Sequence, residues 1–190
     1  MEYFASMETA YFLTTGRLGF RVWRDSDIDL AMYLWGDPRV TALIDARGRL
    51  TRDQVRGLLA GEISLQENRG VQYWPIFRLE DQQFIGCCGL RPYDESSDTL
   101  EIGAHICYRF WRHGYAEEAL RAVIEFAFMT LPVSALFAGH NPANTASKLL
   151  LRKIGFTFTH YELYEPTDLE HPSYLLTREN YLSSRKKHKS

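Results

Sequence analysis

At 190 residues, 45% of them apolar and 24% charged, the chain is long enough for one hydrophobic core and short for two, which makes a single domain the default and excludes disorder as the main state. A formal net charge of −2 gives no electrostatic footprint for nucleic acid, which is not expected as a partner. The three cysteines, Cys87, Cys88 and Cys107, are odd in number and lack metal-ligand spacing, so they read as small buried hydrophobes of a reducing compartment.

The opening MEYFASMETAYF has no Lys or Arg ahead of its apolar positions, unlike a secretory leader. The longest apolar stretch, Arg121 to His140, is broken by Glu125 and Pro132 and falls short of the ~18 residues of a membrane span. A cytoplasmic protein without a membrane partner is expected. Residues 1–14 read as an N-terminal extension, 15–182 as the domain, and 183–190 as a basic tail whose RKKHKS reads as a solvated terminus.

Along the chain, RLGFRVW at Arg17–Trp23 suits a strand. Asp25 to Asp27 offer caps for a helix through Leu30, Met32 and Leu34 that ends at Asp37–Pro38. Thr51 followed by Gln54 has capping-box spacing before the apolar Val55, Leu58 and Leu59. Glu67–Gly70 reads as a turn, and Val71–Leu79 with Gln83–Leu90 as a hairpin. Thr99–Tyr108 is a third strand, in which Gly103 marks a bulge or a close approach. Leu120, Val123, Ile124, Ala127 and Phe128 give one helical stripe that stops at Pro132. A short strand Val133–His140, a helix Ala146–Lys153 closed by Gly155, and strands Phe156–Tyr164 and His171–Thr177 complete the order, the last ending in Arg178–Asn180. This order predicts an α+β (α/β) domain on a mixed, mostly antiparallel sheet.

The stretch RFWRHGYAEEAL, Arg109–Leu120, sets a basic aromatic cluster before a helix start. Gly114 permits a tight bend, Ala116 takes little space, and the first-turn N–H groups of a helix form an anion site. Glu117 and Glu118 are compatible with that if they point outward. A plain strand-to-helix turn accounts for the same glycine. The stretch is neither a Walker loop nor a dinucleotide fingerprint.

These residues resemble the GCN5-related N-acetyltransferases (GNAT), in their RimJ/RimL-like branch. Trp111–Leu120 looks like that branch's acetyl-coenzyme A loop, and LEIGAHI at Leu100–Ile106 like the strand before it. NPANTASKLLLRKIGF, Asn141–Phe156, matches a second block through Asn144, Ala146, Ser147, Lys153, Gly155 and Phe156. The resemblance runs from about Arg17 to about Asn180, which TGRLGFRVWRDSDID and YLLTREN flank.

The resemblance implies a single GNAT-like domain with helices on both faces of a sheet splayed at the cofactor site. It implies acetyl-CoA as co-substrate, held by amides from Arg112, His113, Gly114, Tyr115 and Ala116, by Asn144 and Ser147, and by an N–H near Ile106 or Cys107 that polarises the thioester. It implies an amine acceptor, either a protein N-terminal α-amine or a small amine, and leaves a homodimer open. Arg112 stands where Gly is usual, and Leu151 where a thiolate-protonating Tyr is common.

A general base is required for the acceptor ammonium. Glu101, alone among apolar neighbours in its strand, is the first candidate, His140 the second and His105 the third, each with an ordinary structural reading beside it. Transfer through Cys107 is disfavoured for want of a paired His. Tyr73, Trp74, Trp35 and Phe77 read as core before groove lining. The acceptor loops are Asp37–Thr51 and Tyr164–His171, the second carrying Glu165, Asp168 and Glu170 beside Glu162. The competing reading is a noncatalytic acyl-CoA binding module.

Overall fold

A computed structural model describes residues 10–94 and 98–187. One eight-stranded sheet runs through it in the order β1-β2-β3-β4-β5-β6-β8-β7. The strands are β1 (Leu13–Thr14), β2 (Leu18–Phe20), β3 (Tyr73–Arg78), β4 (Phe84–Pro92), β5 (Thr99–Ile106), β6 (Ala135–Gly139), β7 (Thr157–Tyr164) and β8 (Leu169–Thr177). The helices are α1 (Ile28–Trp35), α2 (Pro38–Thr41), α3 (Arg52–Arg69), α4 (Tyr115–Thr130), α5 (Thr145–Lys153) and α6 (Arg178–Lys187). Every strand pair is antiparallel except β5 with β6, the α+β arrangement expected.

That exception makes the site. β5 and β6 pair only where Thr99, Leu100 and Glu101 meet Ala135, Leu136 and Phe137. β5 continues to Ile106 and β6 to Gly139 without pairing to each other, so the sheet opens at its centre. Period-2 alternation sends Glu101, Gly103 and His105 to one face of β5 and Ile102, Ala104 and Ile106 to the other. Helices α1 and α3 cover the first face, through Trp35 on His105 and Glu62 on Arg91, the cross-strand partner of Glu101. Helix α4 packs the second with Ala119, Leu120, Val123, Ile124, Ala127 and Phe128 buried, the stripe its periodicity predicts.

Several local expectations hold for their stated reasons. Thr51 and Gln54 form the reciprocal capping box at the start of α3. Cys87 and Cys88 take opposite faces of β4, and all three cysteines are free and buried. Gly103 is a close-approach position, since a Cβ there would lie 2.3 Å from the Tyr73 hydroxyl oxygen.

Others are corrected. Glu67–Arg69 is the last turn of α3, which stops only at Gly70, where φ of +70° needs no Cβ penalty. Helix α1 does stop just before Asp37–Pro38, but the same pair also opens α2: Asp37 accepts from the Arg39 N–H, and Pro38 takes the first helical position, where no N–H is needed. The first strand is shorter than Arg17–Trp23 and is joined by Leu13–Thr14, within the stretch read as an extension. Arg178–Asn180 begins α6, because the Arg178 guanidinium donates to the carbonyls of Phe128, Leu131 and Val133 and closes the end of α4. The tail is helical to Lys187 yet stays largely exposed, as a solvated terminus would, with Arg185 paired to Glu125; His188, Lys189 and Ser190 lie outside the described residues.

Candidate active site

The opening between β5 and β6 holds a cleft of ≈ 350 Å³ that reaches both faces of the sheet. One end is walled by Tyr73, Arg91, Tyr93, Glu101, His105 and Glu162, with Leu43, Ile44, Tyr164 and His171 from the two loops expected at the acceptor. Those loops are tied together, the Ala46 N–H donating to the Pro166 carbonyl at 2.8 Å. The other end is walled by Ala116, Leu120, Ala138, His140, Asn144, Ser147 and Leu151.

On the α4 side, the bend before the helix has the geometry of an anion cradle. Arg112 and Gly114 both adopt positive φ, +65° and +80°. Gly114 caps α4 without a side-chain hydrogen bond, so the first-turn N–H groups at Tyr115 and Ala116 are left for an outside acceptor. The Arg17 guanidinium holds the bend by donating to the His113 carbonyl at 3.1 Å. Both glutamates point away: Glu118 is taken by Arg17 and Thr15, Glu117 by Lys153 and Arg121. Asn144 Oδ1 accepts from the Ser147 N–H at 3.0 Å, capping α5 while both residues line the cleft.

Of the two strand amides named for the thioester, one is committed. The Cys107 N–H donates to the Ile85 carbonyl at 2.9 Å, which sets the phase of the β4–β5 ladder and removes Cys107 from the role. The same alternation turns the Ile106 N–H to the open side, toward the gap. Burial pushes the Cys107 thiol up to about 12, so it is not a nucleophile at neutral pH.

On the α1–α3 side, Glu101 accepts from the Tyr73 hydroxyl at 3.2 Å. Burial raises its carboxyl above the usual range, against the opposing pull of Arg91 and of the Tyr73 hydrogen bond. Arg91 lies 4.1 Å over the Tyr73 ring and pairs with Glu62, whose other carboxylate oxygen accepts the Tyr73 N–H at 2.7 Å. Glu62, Tyr73, Arg91 and Glu101 thus form one connected group drawn from α3, β3, β4 and β5. The sequence reading missed Glu62 and Arg91. A signal existed for Glu62, since Val55, Leu59 and Glu62 share one stripe at i, i+4 and i+7, where a carboxylate needs a partner.

The two histidine candidates separate. His105 Nδ1 accepts the Trp35 indole N–H at 3.1 Å, so its proton is on Nε2. Burial lowers its pKa to about 3, and it is no base for the acceptor. His140 stacks on Tyr174, whose partner Ala138 faces α4, so it stands on the opposite face from Glu101. Tyr73 lines the cleft, while Trp35, Trp74 and Phe77 are core. Among the described residues no group of three or more His, Cys, Asp or Glu is arranged for a metal, and no helix is long and apolar enough to cross a membrane.

A family profile described as "Acetyltransferase (GNAT) domain" matches residues 17–157. "Uncharacterized N-acetyltransferase p20" of Bacillus licheniformis is 31% identical over 154 residues, 79% of this chain and 83% of that protein. In fold, the chain is similar to RimL, titled a ribosomal L7/L12 alpha-N-protein acetyltransferase, in complex with coenzyme A, at TM-score 0.75 and 16% identity over 88% of this chain and 98% of that one. It is equally similar to a spermidine N-acetyltransferase from Vibrio cholerae in complex with CoA and spermine, at TM-score 0.75 and 13% identity over 88% and 99%. Matched across most of its length, and with a sheet that parts between β5 and β6, the chain belongs to the GNAT acetyltransferases, the enzymes that pass acetyl from acetyl-CoA to an amine.

Proposed function

We propose that the chain is a RimJ/RimL-like N-acetyltransferase of the cytoplasm that acetylates a cationic primary amine, either a protein N-terminal α-amine or a small polyamine, with Glu101 as general base. The catalytic domain in this reading is 15–182. The observation that carries it is the Glu101 carboxylate, hydrogen-bonded to Tyr73 at the point where β5 and β6 part. Glu162, held by the Tyr93 hydroxyl at 2.9 Å, adds a second carboxylate at the same mouth, and the aromatic walls of Tyr73, Tyr93 and Tyr164 suit an ammonium. Both acceptor types are named for proteins of this fold, one for RimL and one for the spermidine enzyme.

The residues divide the work. Arg112 to Ala116 hold the diphosphate by main-chain N–H groups, and Asn144 and Ser147 line the pantetheine path. The Ile106 N–H meets the thioester oxygen, an interaction that strengthens as negative charge develops there. Glu101 takes the surplus proton of the acceptor ammonium and frees the amine to attack. Arg112 is no obstacle, since its own side chain need not enter a cradle made of backbone.

Thiol release measured against peptides, polyamines and aminoglycosides tests the reading. Glu101→Gln lowers kcat by about 100-fold while acetyl-CoA affinity is kept. The wild-type rate falls as pH drops through a value above the ordinary carboxylate range, because burial has raised this carboxyl, and the variant loses that limb. Unchanged turnover across pH removes Glu101 as the base; coenzyme binding without turnover on any amine returns the noncatalytic module.

A further inference from the structure

Leu151 leaves the departing thiolate without the hydroxyl that the resemblance leads one to seek, yet the same wall of the cleft contains another group able to move a proton. His140 follows the end of β6, just past the point where the sheet has opened. Its side chain is buried, with 7% of the residue exposed. Its Nδ1 sits 2.8 Å from the Asn141 carbonyl oxygen, which can only accept, so the ring proton is on Nδ1 and Nε2 presents a bare lone pair. Among the described residues, that Nε2 is the one buried side-chain nitrogen or oxygen without a hydrogen-bond partner.

An orphaned buried acceptor costs free energy unless something else completes it. The ring is not free to turn away: it stacks on Tyr174 at 5.5 Å and is pinned by Asn141. Lys148 of α5 and His171 of β8 are close enough to act on it electrostatically, and burial with the Lys148 charge lowers its pKa, which favours the neutral ring. A neutral imidazole with one fixed N–H and one unpartnered lone pair is a group that receives and returns a proton at a single atom.

Resting on the acetyl-transfer reading above, we propose that His140 Nε2 is the proton shuttle of the leaving-group side, carrying a proton from the attacking nitrogen to the coenzyme A sulfur. Glu101 on the opposite face has already taken the first proton from the ammonium and returns it to water. As the C–N bond forms, the nitrogen keeps one proton more than the amide product needs. His140 Nε2 takes that proton. The C–S bond breaks with its electron pair on sulfur, and Nε2 passes the proton to the thiolate. One amine proton has become one thiol proton, and His140 ends as it began. The two bases work on the two faces of one opening, which is why the missing hydroxyl at Leu151 leaves no gap in the chemistry.

The same geometry makes a binding prediction independent of turnover: in the product complex the coenzyme A thiol donates to Nε2. Calorimetry on the wild-type chain therefore gives tighter binding of coenzyme A than of desulfo-coenzyme A by about five-fold, the size of one hydrogen bond. In His140→Gln the preference falls below two-fold and kcat drops by about 100-fold, with desulfo-coenzyme A affinity retained. His140→Phe, which keeps the stack on Tyr174, gives the same pattern and guards against a folding artefact in either variant. If the variants weaken both ligands equally, His140 merely binds the pantetheine arm and the proposal is overturned; unchanged kcat overturns it too. Failure of wild-type protein to bind either ligand sinks the acetyl-transfer reading and this one together, whereas binding insensitive to His140 sinks this one alone.

Discussion

The two ends of the cleft are built by different means. At the α4 end the groups on offer are main chain: a bend with two positive-φ residues, an uncapped helix start and a strand amide turned to the gap. At the α1–α3 end they are side chains, with Glu62, Tyr73, Arg91 and Glu101 each depending on the next. Backbone recognition tolerates changes of side chain and is demanding about φ. A side-chain network tolerates backbone drift poorly and fails as a unit.

Removing the carboxylate that anchors the network breaks the comparison hardest. Glu62→Gln leaves the partly buried Arg91 without its ion pair and costs about 3 kcal/mol of stability in a urea melt. The same variant raises KM for the amine with little change in coenzyme A affinity; an equal loss at both ends means the ends are coupled rather than separate.

Acid separates the ends by a different route. His105 is neutral in the folded protein down to about pH 3, whereas an unfolded His takes up a proton near 6.5. The unfolded chain therefore binds more protons between those values, and stability declines as pH falls through that window, by roughly 2 kcal/mol at pH 5. His105→Gln flattens this slope in a pH series of thermal melts. A slope unaltered by the substitution assigns the acid sensitivity elsewhere.

The smallest effect belongs to the backbone end. A Cβ at Gly114 meets only the Arg17 guanidinium, at 3.5 Å, so space is not the obstacle. The cost comes from holding a non-glycine residue at φ of +80°, about 1 kcal/mol. Gly114→Ala thus weakens coenzyme A binding while the amine KM stays put, and an unaltered Kd for coenzyme A argues against the bend as the diphosphate cradle.

This division explains what could be read from the letters. The α4 end lies within two continuous stretches, Trp111–Leu120 and Asn141–Phe156, where bend, cap and helix are adjacent in sequence, and the strand parting follows from the fold they imply. The other end is assembled from α3, β3, β4 and β5, and nothing local in Arg91 or Glu62 says that they meet. Glu101 was visible only as a charge in an apolar strand. The choice between the Ile106 and Cys107 amides stays open in the letters because ladder phase depends on a hydrogen bond to Ile85, which a single strand does not reveal. Helix α6 was hidden for a similar reason, since Arg178 stabilises its start by reaching carbonyls at the distant end of α4.

The main-chain bond between Ala46 and Pro166 has a bearing on redesign. Two segments that sit far apart in the gene share one doorway, and the donor belongs to one while the acceptor belongs to the other. Transplanting either segment from a relative would set a new wall against an old one and put the bond between them at risk. Under the proposed function, in which these segments border the acceptor, substrate preference is a property to be exchanged in pairs.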